Sequence, residues 1–552
     1  MADLSQVSHA PDGPQGSAES PRGGRSRGGL FFFVALALIC GAAAYVGIVP
    51  TRVFGHDNFF FLDNGWRIVN GLRPHLDFYS PWGPVTYLIV GLGMVLSNDS
   101  PNAIGYGSAM FGLLAGLWAY GLGRNRLENG LRILFGLYLA VLATAPYSIG
   151  TWFVWSTHAM AYNRYGYALL GLVLMECLQR AEGAEENAGE LWGGISTGAA
   201  LGVALFLKIS YFAMGAPMVA LSLVYRGLSR RRLGGLALGF GVVAVALLAY
   251  LSFDIPRIVQ DMRIAAGGRS KMIAHNALSL KTKLAVQVPT LLILIGLSSY
   301  GSAAKKRKER WIAEHELAIW GLVVFLADVV LLCSNMQMRG MPILCAFAII
   351  VASRIVAERG RAGVAAPRTE RQRYIFVLLL CGLLSLPQLC SDLAGLAYGA
   401  KQKADPSEAA GLVRFTSPRL APVILYDYPF TRQANGGVYT AHINDGVELL
   451  KRYCGPEERV ITFDMVNPFP YALGWRPARG GMAASAYNNL FSDEPRPSDD
   501  EYFGDATVVM VPKEPAIDRY YYDGYYRIYH PGLLERFRLV AESESWWLYK
   551  RK

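Results

Sequence analysis

The chain has 552 residues, of which 53% are hydrophobic and only 17% charged, with a mean hydropathy of +0.26. That is too apolar for one soluble core of this size and suits a polytopic membrane protein carrying a soluble appendage. The net charge of +11 does not point to nucleic acid, because most basic residues stand in short clusters between apolar runs, the pattern of the positive-inside rule. No C-x-x-C spacing occurs among the cysteines, which excludes a zinc or redox motif of that kind, and Cys454 stands alone in the C-terminal region, which excludes a disulfide within it.

Residues 1–29 are rich in Gly, Ser, Pro and Arg and read as a disordered cytoplasmic segment. The apolar run 30–49 follows Arg22, Arg25 and Arg27 and reads as an uncleaved first span leading outward. The next stretch, 50–101, reads as an external loop. Within it the run 84–97 is too short for a crossing and reads as an interfacial or re-entrant helix. Further spans are expected at about 102–122, 131–149, 164–179, 191–207, 209–225, 234–253, 284–301, 315–333, 341–357 and 374–398, with an external loop of roughly 30 residues before the span at 284. This makes a polytopic α-helical membrane protein of about 11 transmembrane helices. The membrane part covers 30–400, and 401–552 form a small extracytoplasmic α/β domain. The short strand-like runs "RVITFD" and "ATVVMV" and the helical "DGVELLKRYC" belong to that domain. Its "DRYYYDGYYRIYH" reads as aromatic material for a membrane interface.

The segment "GHDNFFFLDNGWRIVNGLRPHLDFYSPWGPV" crowds ionisable groups beside the first span. Phe59, Leu62, Trp66 and Val69 fall at helical spacing, as in an amphipathic helix on the outer leaflet. Asp57 reads either as the N-cap of that helix or as a carboxylate lining a cavity. Asp63 reads as the i, i+4 partner of Arg67. Asp77 lies in a turn built by Pro74, Pro81 and Pro84, in which Gly83 permits close backbone approach. Lys208 stands between two apolar runs with almost no loop, either snorkelling or reaching for an anion. The loop "STHAMAYNRYG" presents His158, Asn163 and Arg164 together.

A first span, an external loop with an early acidic residue, "GLRPHLDF", then "PWGP" and an apolar helix together resemble the GT-C superfamily of integral-membrane glycosyltransferases. The similarity is to the bacterial branch that holds protein mannosyltransferases and the aminoarabinose transferase of lipid A. "GISTGAALGVALFLKISYF" is similar to that branch's Gly-rich span ending in Lys. Where the branch often carries an adjacent acidic pair, Asp57 is followed by Asn58.

The resemblance implies a glycosyltransferase of the bacterial inner membrane, hexosyl or pentosyl. It would take sugar from a polyprenyl-phosphate donor to a glycan, lipid or protein acceptor, inverting the anomeric centre. Asp57, and after it Asp77, would be the general base. The leaving phosphate needs fixed positive charge or a divalent metal. Arg73, Arg164, Lys208, Arg269, Lys271 and Arg339 are the external cations available, with His158 and Asn163 as further contacts to sugar or phosphate. No other cofactor and no nucleic acid are expected, and the surrounding partners are membrane lipids. The competing readings are a lipid-sugar transporter or flippase, and a polysaccharide polymerase or ligase.

Overall fold

The computed structural model describes residues 23–178, 186–226, 229–304, 315–335, 337, 339–362, 368–405, 411–427 and 436–552. Residues 1–22 of the expected disordered segment lie outside it, as does the Lys271 side chain, while residues 23–29 form the start of the first helix.

The membrane part is helical throughout. In chain order it comprises α1 (Gly23–Val46), α2 (Gly55–Val69), α3 (Val85–Leu96), α4 (Ala103–Leu122), α5 (Asn129–Thr144), α6 (Ala161–Leu178), α7 (Glu186–Leu207) and α8 (Ile209–Arg226). There follow α9 (Arg230–Tyr250), α10 (Ile255–Ala304), α11 (Glu316–Ser334), α12 (Pro342–Ala362) and α13 (Arg368–Ala404). Among the described residues, seven helices are long and apolar enough to cross a membrane: those at 27–46, 103–125, 189–207, 230–250, 280–298, 316–334 and 371–404. Three more of the expected spans fall on the shorter apolar helices α5, α8 and α12. The expected span 164–179 falls on α6, every residue of which is buried. The α3 helix has 12 residues, about 18 Å at 1.5 Å per residue, short of the ~30 Å hydrocarbon core.

Two expectations change here. The stretch expected as an external loop before the span at 284 is helix. The α10 helix runs unbroken for 50 residues from Ile255. Its start is capped by Asp254, whose Oδ1 accepts the Arg257 N–H at 3.1 Å, and Pro256 stands in the first turn, where the missing N–H costs nothing. Asp261, Ile264 and Gly268 then form a buried face at i, i+3, i+7. The α2 helix exists as expected, but it is not a helix lying free on a leaflet. It is enclosed between the membrane helices and the C-terminal region: Phe60 meets Trp82 at 5.0 Å on one side, and Phe59 meets Phe415 at 5.4 Å on the other.

The C-terminal region carries a two-stranded antiparallel ribbon, β1 (Leu412–Arg414) with β2 (Ile424–Tyr426). It also carries a four-stranded sheet of β3 (Val460–Thr462), β4 (Val508–Pro512), β5 (Phe537–Glu542) and β6 (Trp546–Arg551), ordered β3-β4-β6-β5. The β3 and β4 strands are parallel, and the remaining pairings are antiparallel. The helices α14 (Gly436–Tyr453), α15 (Phe469–Leu473), α16 (Asp499–Phe503) and α17 (Arg519–Arg536) surround it. The tyrosine-rich segment is α17. Tyr522, Tyr525 and Tyr529, at i, i+3, i+7, are buried. Tyr529 stacks on Tyr502 and Tyr525 meets Phe463. These rings fill a protein core rather than a membrane interface, because their spacing aims them at the sheet.

This region is stitched to the first loop. Arg67 Nη1 donates to Gly480 O at 2.9 Å, Trp66 Nε1 to Trp475 O at 2.8 Å, and Asn64 Nδ2 to Ala483 O at 2.9 Å. Ala483 N in turn donates to Tyr79 O at 2.9 Å.

Candidate active site

The site starts from two interruptions in the helices. The first is before α2. Phe54 takes a left-handed φ of 58° and offers no side-chain cap, so Asp57 is not the N-cap. Its backbone N–H closes the turn onto Phe54 O, and its carboxylate is left on the first turn, facing a cavity. Asn58 points elsewhere, donating to Thr51 Oγ1 at 3.0 Å. The residue that departs from an acidic pair therefore ties α2 to the end of the first span.

The second interruption is at Lys208. The α7 helix ends at Leu207 because its last carbonyl is taken by the "PWGP" turn. Gly83 N donates to Leu207 O at 3.2 Å and Thr86 Oγ1 at 3.0 Å. A Cβ at Gly83 would lie 2.0 Å from Phe206 O, so this contact requires glycine. With α7 stopped and α8 starting at Ile209, Lys208 is buried, and its ammonium points at Asn163 Oδ1 (3.1 Å) and Asn335 Oδ1 (2.5 Å), over the Tyr162 ring.

These elements line one cavity of about 350 Å³. The membrane part supplies His56, Asp57 and Phe60 from α2, Trp82, Tyr162 and Asn163 from α6, Lys208, Arg269 from α10, and Asn335. The C-terminal region closes it with Met465, Ala484, Ala486, Asn489, Leu490, Ala516 and Ile517, and with Asp518 and Tyr521. Asp518 has a structural duty there, capping α17 by accepting the Tyr520 N–H at 2.8 Å.

The electrostatics are lopsided. Among the described residues neither Lys208 nor Arg269 has a carboxylate within ion-pair distance. Burial, and after it the Arg269 guanidinium, push the Lys208 ammonium well below its ordinary range. Burial likewise lowers Arg269. Asn163 Nδ2 is buried without a partner among the described residues, a donor available to an oxygen. Burial raises the Asp57 carboxyl above the usual carboxylate range, opposed by His56, whose Nε2 lies 3.7 Å from Asp57 Oδ1. Such a site favours an anion beside Lys208 and Arg269 and a carboxylate ready to take a proton.

The structure brings together Asp57, Asn163 and Lys208 from the residues expected by sequence, with Arg269. It does not bring the others to this cavity. Asp77 accepts the Arg73 N–H at 2.7 Å and lies near Arg479 (3.7 Å), while Arg73 also reaches Ser252 Oγ at 2.7 Å. His158 Nε2 accepts the Val49 N–H at 3.0 Å, and burial pushes its imidazole down to about 3, so it is a neutral tether for the end of α1. Arg164 is buried against Asp392 at 2.8 Å and donates twice to Tyr147 O. Arg339 donates to Gly150 O at 2.9 Å and covers the Trp152 ring. Asp63 pairs with Arg67 at 3.0 Å as its spacing implied. Sequence reasoning missed His56, Tyr162 and Asn335. Of these Asn335, an amide just past an apolar span, carried a readable signal.

Among the described residues no group of three His, Cys, Asp or Glu side chains converges.

No family model matches the chain, and no curated protein matches it. Solved structures do. The chain is similar to ArnT from Cupriavidus metallidurans in the apo state, at 16% identity over 95% of this chain and 98% of that one, with a TM-score of 0.48. It is similar to the same protein bound to undecaprenyl phosphate, at 14% identity over 96% and 98%, with a TM-score of 0.48. It is also similar to the arabinofuranosyltransferase AftD from Mycobacteria, at 13% identity over 95% of this chain and 40% of that one, with a TM-score of 0.39.

Proposed function

We propose that the chain is an integral-membrane glycosyltransferase that moves a sugar from a polyprenyl-phosphate donor to an extracytoplasmic acceptor hydroxyl on a glycan, lipid or protein. In this reading the chain crosses the membrane about 11 times, with the N-terminus cytoplasmic and the cavity at the outer face. The observation that carries it is one cavity in which two cations without carboxylate partners among the described residues, Lys208 and Arg269, share the walls with Asp57 and with apolar side chains. The donor phosphate lies beside Lys208 and Arg269, with Asn163 Nδ2 as a further hydrogen-bond donor. The isoprenoid tail runs along Phe60 and Trp82.

The transfer is a single displacement. The acceptor oxygen forms a bond to the anomeric carbon as its proton passes to the Asp57 carboxylate. The bond from that carbon to the phosphate oxygen breaks, its electron pair leaving with the phosphate. The products are the glycosylated acceptor and free polyprenyl phosphate. Lys208 and Arg269 stabilise the charge that grows on the leaving oxygen, and the raised Asp57 carboxyl is matched more closely to its proton-accepting task than an ordinary aspartate.

The test is turnover in proteoliposomes with a labelled undecaprenyl-phosphate sugar. Release of free undecaprenyl phosphate together with label on an acceptor supports transfer. Movement of intact labelled lipid between leaflets without release would replace it with transport.

A further inference from the structure

Arg269 reaches the cavity from the middle of a helix that begins far from it, so something must fix where that helix stands. Asp261 lies two turns earlier on α10 and is buried. Its Oδ2 accepts from His75 Nδ1 at 2.9 Å and from Ser80 N at 3.0 Å. Both donors belong to the turn 74–84, the turn that also stops α7 and presents Lys208. His75 is held at a left-handed φ of 69°, its carbonyl accepts Arg257 Nε at 3.2 Å, and its Nε2 is buried without a partner among the described residues. Arg257 pairs with Glu501 of the C-terminal region at 2.6 Å. Further along, Gly268 touches the Phe491 backbone so closely that a Cβ would lie 2.5 Å from Phe491 N. This contact requires glycine where α10 meets the C-terminal region. On the buried face of α10 the bonds to the 74–84 turn are those to Asp261.

We propose that Asp261 is a positioning residue. Held by His75 and Ser80, it fixes the axial register of α10 on the 74–84 turn, and so sets Arg269, eight residues and about 12 Å further along the helix, against the same cavity wall that this turn prepares for Lys208. The phosphate-binding part of this inference rests on the function proposed above; the register part does not.

Two readouts separate them. The first is the rate at which a methanethiosulfonate reagent modifies Arg269→Cys, followed on the peptide carrying residue 269 by mass spectrometry. Adding Asp261→Asn raises this rate about tenfold, the scale of one lost hydrogen bond to a charged group. Adding His75→Gln, whose amide still donates to Asp261, leaves the rate unchanged. Equal rates in Arg269→Cys and Arg269→Cys/Asp261→Asn overturn the proposal. His75→Ala removes the contact from the other side and is read in the same way where Asp261→Asn does not fold. The second readout is binding of undecaprenyl phosphate, followed by tryptophan fluorescence. Asp261→Asn weakens binding about tenfold when residue 269 is Arg and has no effect when it is Met. Equal losses in both backgrounds overturn the proposal, since Asp261 would then not act through Arg269. Absence of binding by the wild type refutes the functional reading and leaves the modification rates to decide the register.

Discussion

The chain buries basic side chains in two ways. Arg164, on α6, is locked by Asp392 and Tyr147 O, and Arg126, in the turn after α4, and Arg232, on α9, meet the buried Glu176. One residue before Arg164, Asn163 belongs to the opposite arrangement, in which the buried Lys208 and the half-buried Arg269 meet amides, and Lys208 an aromatic ring, with no carboxylate at ion-pair distance among the described residues. Leaving a cation buried with neutral partners is costly unless an anion arrives. The paired cations therefore hold helices together, and in the proposed function those without a carboxylate partner among the described residues hold a place for a ligand. The buried acidic groups of the helices fit the same division. Glu176 and Asp392 are paired, and Asp328 accepts the N–H groups of Ile343 and Leu344 at the start of α12, where a helix favours negative charge. These carboxylates have structural duties.

The comparison is broken most forcefully at the paired site. Arg164→Met strands Asp392, and the expected loss is about 3–5 kcal/mol of stability, measured by denaturation in detergent. Replacing both residues with apolar ones recovers part of it. Lys208→Met should do the reverse: stability unchanged or raised, and kcat/KM for the lipid-phosphate donor lowered on the order of 100-fold. A large stability loss for Lys208→Met would make it one more structural cation. Arg269→Met should lower the same ratio about tenfold, with the effect in the donor KM. The smallest effect concerns the cavity's other wall. Asp464 accepts the N–H groups of Met465 and Ala516, both at the cavity, and burial raises its carboxyl to about 7. With the folded value above the unfolded one, ionisation works against folding, so stability falls as pH rises from about 4 to 7. The melting temperature of Asp464→Asn relative to wild type should climb by a few degrees over that interval. A flat difference would show that Asp464 does not titrate there.

Much of the fold was legible. Each expected span falls on a helix, because long apolar runs between basic clusters leave few alternatives. The continuation of α10 outside its apolar run was not read as helix, although Asp254 and Pro256 marked its start, because hydropathy says nothing about a helix that packs on protein instead of lipid. The site was half legible. Asp57 and Lys208 stand at interruptions that sequence displays. Whether Asp57 capped a helix depended on the φ of Phe54, and whether Arg164 was free depended on Asp392, 228 residues away. Long-range pairing of this kind leaves no local pattern.

The most direct measurement compares Asp57→Asn with Asp77→Asn in release of undecaprenyl phosphate from a labelled undecaprenyl-phosphate sugar. Both are first-loop aspartates, and only Asp57 lines the cavity described. The account predicts that Asp57→Asn loses about a thousandfold in turnover while donor binding survives, and that Asp77→Asn stays within a fewfold of wild type. Full activity in Asp57→Asn, or its loss in Asp77→Asn alone, would contradict it.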